Sequence, residues 1–415
     1  MQIEKVKKMV PELRFKHFEG NWTKTNLENI TKYVKGFAFK SENYRNSGVR
    51  IVRVSDLATD IIKNDIEKVY IEDAKLYEKY KIYKDNIIIT TVGSKPEMLE
   101  SAVGRGIFIK NDNEGLLNQN MLKFENIKNV SNGFVIGLIN SKKYQHYMKS
   151  IARGNANQAN ITVVDLLQFQ ISIPSLPEQQ KIASFLSAID EKIQQLTRKK
   201  ELLVQYKKGV MQQLFSCKMR FKNENGEEYA DWEEKRLGDI GKIVTGSTPP
   251  TNNLEYYNGN NLFVSPADIN GTRYVLETKT TLTELGFEKG RKLKKGVVLF
   301  VCIGSTIGKV AIAGFDCITN QQINAIEANS FNSNDFIFSL LELNAINIKL
   351  LAGVQAVPQI NKTDFSNFKF MFPSLQEQKK IATFLSSIDT KIDSTTQKIN
   401  QTQTFKKGLL QKMFV

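Results

Sequence analysis

The chain has 415 residues, 41% hydrophobic and 24% charged, ordinary values for a globular protein, which exclude a wholly disordered chain. At about 150 residues per domain this length suits two or three domains. Lysine and arginine number 58 against 43 acidic residues, a net charge of +15 with a pI near 9.4, and a balance this basic points to a polyanion partner, nucleic acid before a membrane surface.

The first residues, MQIEKVKKMVPELRF, hold no apolar core of signal-peptide length. The longest apolar run, 297–303, is too short to span a bilayer. A cytoplasmic protein with no membrane contact is expected. The three cysteines, Cys217, Cys302 and Cys317, are odd in number and lack C-x-x-C spacing, so ordinary semi-buried thiols are expected rather than a disulfide framework or zinc site. With only His17 and His146 beside them, metal and catalytic-triad chemistry lack raw material.

Residues 1–173 read as a first globular head. Short apolar runs at 49–54, 86–92 and 107–109 alternate with loops, the pattern of a mixed α/β (α+β) domain. Cations stand among aromatics and amides at Lys40, Arg45, Arg50, Arg53 and Arg105, then at Arg153, Asn155, Asn157 and Gln158. Arginine and lysine suit guanine edges and phosphates, and asparagine and glutamine suit adenine edges, so these are candidate DNA contacts.

Residues 174–216 read as one long helix. Pro174 and Ser175 are start signals, and Glu178 in the first turn suits the positive helix end. Ile182, Leu186, Ile189, Ile193, Leu196, Leu203 and Val210 then recur by fours and threes, with Lys200 and Lys207 as polar seam positions. That is a coiled-coil heptad pattern.

A second head follows at 217–372, with apolar runs at 262–265 and 297–303 and a turn-rich stretch, TGSTPPTNN, at 245–253. Its candidate DNA contacts are Tyr256, Tyr257, Arg273, Arg291, Lys292, Gln355, Gln359 and Asn361. Residues 373–415 form a second long helix with its seam at Ile381, Leu385, Ile388, Ile392, Ile399 and Leu409, interrupted by Thr395, Thr402 and Lys406.

The two helices are copies of one sequence. PSLPEQQKIASFLSAIDEKI at 174–193 returns as PSLQEQKKIATFLSSIDTKI at 373–392, an offset of 199 positions. The similarity continues to YKKGVMQQLF and FKKGLLQKMF, and more faintly upstream, where LNQNMLKF at 117–124 resembles TNQQINAI at 319–326. Similar halves favour a pseudo-twofold pairing, which makes the two helices an antiparallel coiled coil. About 37 residues would give a rod of roughly 55 Å, longer than the ~34 Å of one DNA turn.

Enzyme motifs fail on inspection. Gly304 to Lys309 has one residue too few for a phosphate loop, with Val310 where a magnesium-binding Ser or Thr belongs. Gly104-Arg105-Gly106 lacks the third glycine of a dinucleotide loop. Thr248-Pro249-Pro250-Thr251 lacks the polar first residue and the stacking aromatic of amino-methyltransferases. No carboxylate pair marks a nuclease centre. A basic, two-headed chain without catalytic groups reads as a recognition protein whose chemistry is done by partners.

The repeated helix motif closely resembles the helices of type I restriction–modification specificity (S) subunits. GNANQANI at 154–161 with Asp165, the looser 355–364 segment, Trp22, Trp232 and Gly246-Ser247-Thr248-Pro249 are similar to that family's head junctions and head starts. The resemblance implies two target recognition domains, each reading half of a gapped DNA sequence, with the coiled coil setting the gap. It also implies two methyltransferase (M) subunits that use S-adenosylmethionine to methylate adenine at N6. Two motor-nuclease (R) subunits, using ATP and magnesium, would complete the restriction enzyme, and this subunit would hold no cofactor. Gln376 in place of the second proline, Pro177, and the more polar second seam depart from the pattern. The competing readings are a non-catalytic coiled-coil adaptor and a self-contained restriction enzyme, the latter opposed by the missing motifs.

Overall fold

The computed structural model describes residues 10–57, 62–63, 67–72, 75–96, 103–126, 129–155, 158–352 and 358–414. Two long helices, Leu176–Phe215 and Leu375–Lys412, dominate the secondary structure. Neither has a proline beyond its first turn, and each keeps its heptad stripe to the end. The chain divides into two units, Met1–Gln195 with Ile399–Val415, and Leu196–Lys398. Each unit therefore owns one head, part of the first long helix and part of the second.

In the first unit, an antiparallel sheet runs in the order Thr31–Lys35, Met121–Asn126, Ile87–Thr90, Gly106–Phe108. A second sheet runs Val69–Ile71, Val49–Val52, Gly115–Leu117, Lys81–Ile82. The run of isoleucines at 87–89 is buried on both faces. Ile87 and Ile89 join a core with Trp22, Phe124 and Phe134, while Ile88 joins a second core with Val52 and Leu117. Ile182, Leu186 and Ile189 of the first long helix enter the former core, as do Leu409, Leu410, Met413 and Phe414 from the end of the second.

The second unit repeats this plan with five strands in one sheet and three in the other. Its larger sheet runs Gly241–Thr245, Ile323–Ala328, Val298–Val301, Val310–Ala313, Tyr274–Val275. Its smaller sheet runs Thr280–Leu282, Tyr257–Val264, Cys317–Thr319. Val298 and Phe300 face a core shared with Val210, Met211 and Leu214 of the first long helix and Ile381, Leu385 and Ile388 of the second. The seam residues thus do two jobs, pairing helix with helix and closing the core of a head. Ile193, Leu196, Leu203 and Ile392 are only half-buried, and Leu202, Val204 and Tyr206 are exposed.

Within each unit the helix segments run antiparallel. In the first, Lys406 Nζ pairs with Asp190 Oδ1 at 2.5 Å. In the second, Lys207 Nζ pairs with Asp389 Oδ1 at 2.7 Å. At the 199-residue offset these pairs are copies of each other, so two of the polar seam positions are register ion pairs. The second unit enlarges its pair into a network. Lys207 also reaches Glu342 at 2.5 Å, and Arg273 bonds Asp389 at 2.9 Å and Asp335 at 2.8 Å.

Glu178 and Glu377 lie in the first turns of the long helices, as the sequence suggests, and are fully buried acceptors. Glu178 takes Arg14 Nε and Nη2, both at 2.7 Å, and Trp22 Nε1 at 3.3 Å. Glu377 takes Arg220 at 3.2 and 2.8 Å and Trp232 Nε1 at 3.2 Å. The next residue completes the joint. Gln179 Oε1 accepts from Ser131 N at 3.0 Å and its Nε2 donates to Pro174 O at 3.0 Å. Gln378 does the same with Ser333 N and Pro373 O, both at 2.9 Å.

The cysteines differ from expectation. Cys302 and Cys317 are fully buried, which pushes both thiols up to about 12, and Cys217 is exposed just past the first long helix. No described helix is long and apolar enough to cross a membrane.

Two outcomes follow from these joints. Glu377→Ala strands a largely buried guanidinium and an indole N–H, and should cost the second unit about 3 kcal/mol. Urea unfolding in a Trp22→Phe background, where Trp232 is the remaining indole, measures it. Asp393 is held above the usual carboxylate range by partial burial and by Asp389. The folded state then binds its proton more tightly than the unfolded state, so ionised Asp393 costs stability at neutral pH. Asp393→Asn should raise the unfolding midpoint at pH 7, and the gain should vanish as pH falls through the raised pKa.

Candidate nucleic-acid interface

One set of backbone bonds gathers the same loops in both heads. In the first, Gly36 N donates to Met121 O at 2.9 Å, Phe37 N to Leu117 O at 3.0 Å, Thr91 N to Asn120 O at 2.8 Å and Ile161 N to Thr91 O at 3.0 Å. In the second, Gly246 N donates to Ile323 O at 3.0 Å, Ser247 N to Thr319 O at 2.8 Å, Cys302 N to Gln322 O at 2.8 Å and Ile360 N to Cys302 O at 2.8 Å. Four chain segments converge in each head: a glycine-led loop, an Asn-Gln turn, the residues after a central strand, and the segment leading to the long helix.

The glycines are required by close approach. A Cβ on Gly36 would lie 1.8 Å from Asn118 O, and one on Gly246 would lie 2.1 Å from Asn320 O. The turn they touch carries Asn118-Gln119-Asn120 in one head and Asn320-Gln321-Gln322 in the other. In each, the asparagine side-chain oxygen accepts from a backbone N–H beyond it, Gln119 at 2.7 Å and Gln322 at 3.1 Å. The sequence reading did not single out these amides as candidates. The signal was the repeated Asn-Gln pair, which the repeat comparison contains.

The candidate contacts fall into three groups. Lys40, Arg45, Arg153, Asn155, Gln158, Arg291, Lys292, Gln359 and Asn361 are exposed on or beside these loops. Several are held in place. Arg153 pairs with Asp165 at 2.9 Å, Arg291 Nη1 donates to Thr245 O at 2.6 Å, Lys292 pairs with Glu288, and Asn361 caps helix Lys362–Asn367. Arg105, Tyr256 and Tyr257 are half-buried, with the Tyr257 hydroxyl donating to Pro249 O at 2.7 Å. Asn157 and Gln355 lie outside the described residues.

The third group is a correction. Arg50 is buried and donates to Lys63 O at 2.6 Å beside Asp56. Arg273 is buried in the acidic network described above. Arg53 is partly buried and bonded to Asp56 and Glu67 O. Composition cannot separate an arginine that meets a phosphate from one that neutralises an internal carboxylate. The remaining cations near Arg291 are partly spent as well. Lys294 and Asp316 form a pair that raises the ammonium and lowers the carboxyl from their ordinary values. Among the described residues no group of three or more His, Cys, Asp and Glu side chains suits a metal ion.

The arrangement offers amides and hydroxyls suited to base edges, bordered by exposed cations suited to phosphates, and among the described residues of these loops no nucleophile has a base beside it. The family model described as "Type I restriction modification DNA specificity domain" matches twice, at residues 19–204 and 229–404. The putative type I restriction enzyme MjaX specificity subunit of Methanocaldococcus jannaschii is 27% identical over 406 residues, spanning 94% of this chain and 92% of that protein. The fold matches the type I restriction–modification S subunit of M. genitalium with a TM-score of 0.64 at 18% identity, covering 98% and 99% of the two chains. It also matches a chain from a structure of type I R-M complex assembly, with a TM-score of 0.55 at 17% identity, covering 94% and 96%.

Gly246→Ala forces the loop off Asn320 and should cost about 1–3 kcal/mol of stability, as overpacking does, while displacing Thr248 from its 2.7 Å bond to Gln321. Thermal unfolding of the variant beside wild type measures the first effect.

Proposed function

The chain belongs to the family of type I restriction–modification DNA specificity proteins, and from that premise we propose that each of its heads reads one half of a gapped DNA target. The observation that carries this is the doubled match, one copy for each head with its following helix. The protein is a DNA-recognition subunit, not itself an enzyme, and subunits of this family work with M and R subunits. The finer assignment is ours: two M subunits per chain, two R subunits in the full assembly, and a cytoplasmic location. On this reading S-adenosylmethionine, ATP and magnesium belong to those partners.

The exposed candidates beside the converging loops are the proposed DNA contacts: Lys40, Arg45, Arg153, Gln158, Arg291, Lys292 and Gln359, with Gln119 and Gln321 added. Arg50 and Arg273 are withdrawn. The continuous helices suit the role of a spacer, because a helix fixes distance at 1.5 Å per residue.

The test is a genome-wide map of N6-methyladenine in cells with and without the gene. Loss of one two-part motif, with a methylated adenine on each strand, is the expected result. A preparation of this chain that methylates DNA without partners would overturn the reading. Inserting four residues after Leu203 keeps the heptad stripe roughly in phase and adds about 6 Å. It should change the spacer of the methylated motif and leave both half-sites as they were.

A further inference from the structure

The two units can be superimposed in sequence through their joints, and one site then differs. Ser131 N meets Gln179 as Ser333 N meets Gln378, and Phe134 packs on Trp22 as Phe336 packs on Trp232. Gly133 therefore stands where Asp335 stands, Ile136 where Phe338 stands, and Asn140 where Glu342 stands. Asp190 with Lys406 takes the place of Asp389 with Lys207.

In the second unit this site is full. The Arg273 guanidinium lies 4.6 Å from the Phe338 ring centre and bonds Asp389 and Asp335 at 2.9 and 2.8 Å. In the first unit the same residues line a cavity of about 410 Å³, bounded by Gly133, Ile136, Asn140, Leu186, Asp190 and Lys406. The corresponding stretch of the first head holds no arginine. Arg273 comes from the stretch between the capping Asp268 and strand Thr280–Leu282. Its counterpart, residues 57–68 between the capping Asp56 and strand Val69–Ile71, reads LATDIIKNDIEK.

We propose that this cavity is a guanidinium site for a partner polypeptide, which inserts an arginine side chain against Asp190 and Ile136 as Arg273 inserts against Asp389 and Phe338. Asp190 uses Oδ1 for Lys406, and Oδ2 has no hydrogen-bond partner among the described residues. Arginine fits better than lysine because its flat fork can share a carboxylate already engaged by an ammonium while its face lies on an apolar floor. The lining also carries Asp85 and Glu191 against Lys84 and Lys110, so its charges nearly balance and a free guanidinium is held weakly; the ligand must add main-chain contacts of its own, as the second unit does with the bond from Ile312 N to Arg273 O at 2.8 Å. That requirement selects a peptide segment over a small guanidine. The site is separate from the loops assigned to DNA and does not rest on that reading.

The second unit supplies the probe, a fluorescein-labelled Thr-Arg-Tyr-Val amide, the sequence of residues 272–275. Fluorescence polarisation with the full chain, in the absence of DNA, should show saturable binding, at least tenfold weaker for Thr-Lys-Tyr-Val. Ile136→Trp fills the cavity and should abolish binding. Asn140→Glu restores a carboxylate matching Glu342 and should tighten it several-fold, a gain that no unfolded variant can give. The proposal is overturned by absence of saturable binding, by equal binding of the lysine peptide, by binding that survives Ile136→Trp, or by an Asn140→Glu variant that binds no tighter.

Discussion

Each unit hangs on a carboxylate taken out of water at the start of a long helix. A buried ion costs several kcal/mol unless its charge is matched and its lone pairs are filled. Glu178 meets that demand only if Arg14, Trp22 and the helix start converge, and Glu377 only with Arg220 and Trp232. The neighbouring glutamine then grips the first turn of a head helix through Ser131 or Ser333. Three stretches far apart in sequence thereby share one geometry. At each helix start these directional polar bonds add to the apolar contact that Ile182, Leu186 and Ile189, or Ile381, Leu385 and Ile388, make with the head.

On this joint the two heads share a frame while differing in what they display. The backbone bonds that gather the loops recur, from Gly36 and Gly246 to Thr91 and Cys302. The side chains between them do not: Lys40 and Arg45 border one set, Thr248, Arg291 and Gln321 the other. Main-chain bonds are indifferent to side-chain identity, so display residues can change without disturbing the frame. This is the physical basis on which one architecture can serve two different half-sites.

The helices were legible in the sequence because a heptad stripe is a local signal and a repeat doubles it. The joints were half legible. Pro-Ser-x-x-Glu-Gln announced a helix start, but nothing local says that Glu178 is buried, since its partners lie 164 and 156 positions away. The same gap explains Arg273, whose surroundings read as a polar loop while its carboxylates come from Asp335 and Asp389. Pairing of the strands was beyond the sequence as well. The extra edge strand Tyr274–Val275 in one head comes from a stretch whose counterpart has a different length and composition. Lys207 and Lys406 read as blemishes in a seam, and their partners were visible only once the register was known.

The partition of the long helices bears on the order in which the chain is made. The second unit is one continuous span, Leu196–Lys398. The first is interrupted by it, and its core includes Leu409, Leu410, Met413 and Phe414. On a ribosome the earlier head emerges first yet has to wait, its apolar floor uncovered, until the last helical turns are released. The later head has all its parts sooner. Domains that form during synthesis generally do so from the amino terminus onward; here the first head is completed after the second, when Leu409, Leu410, Met413 and Phe414 cover its core.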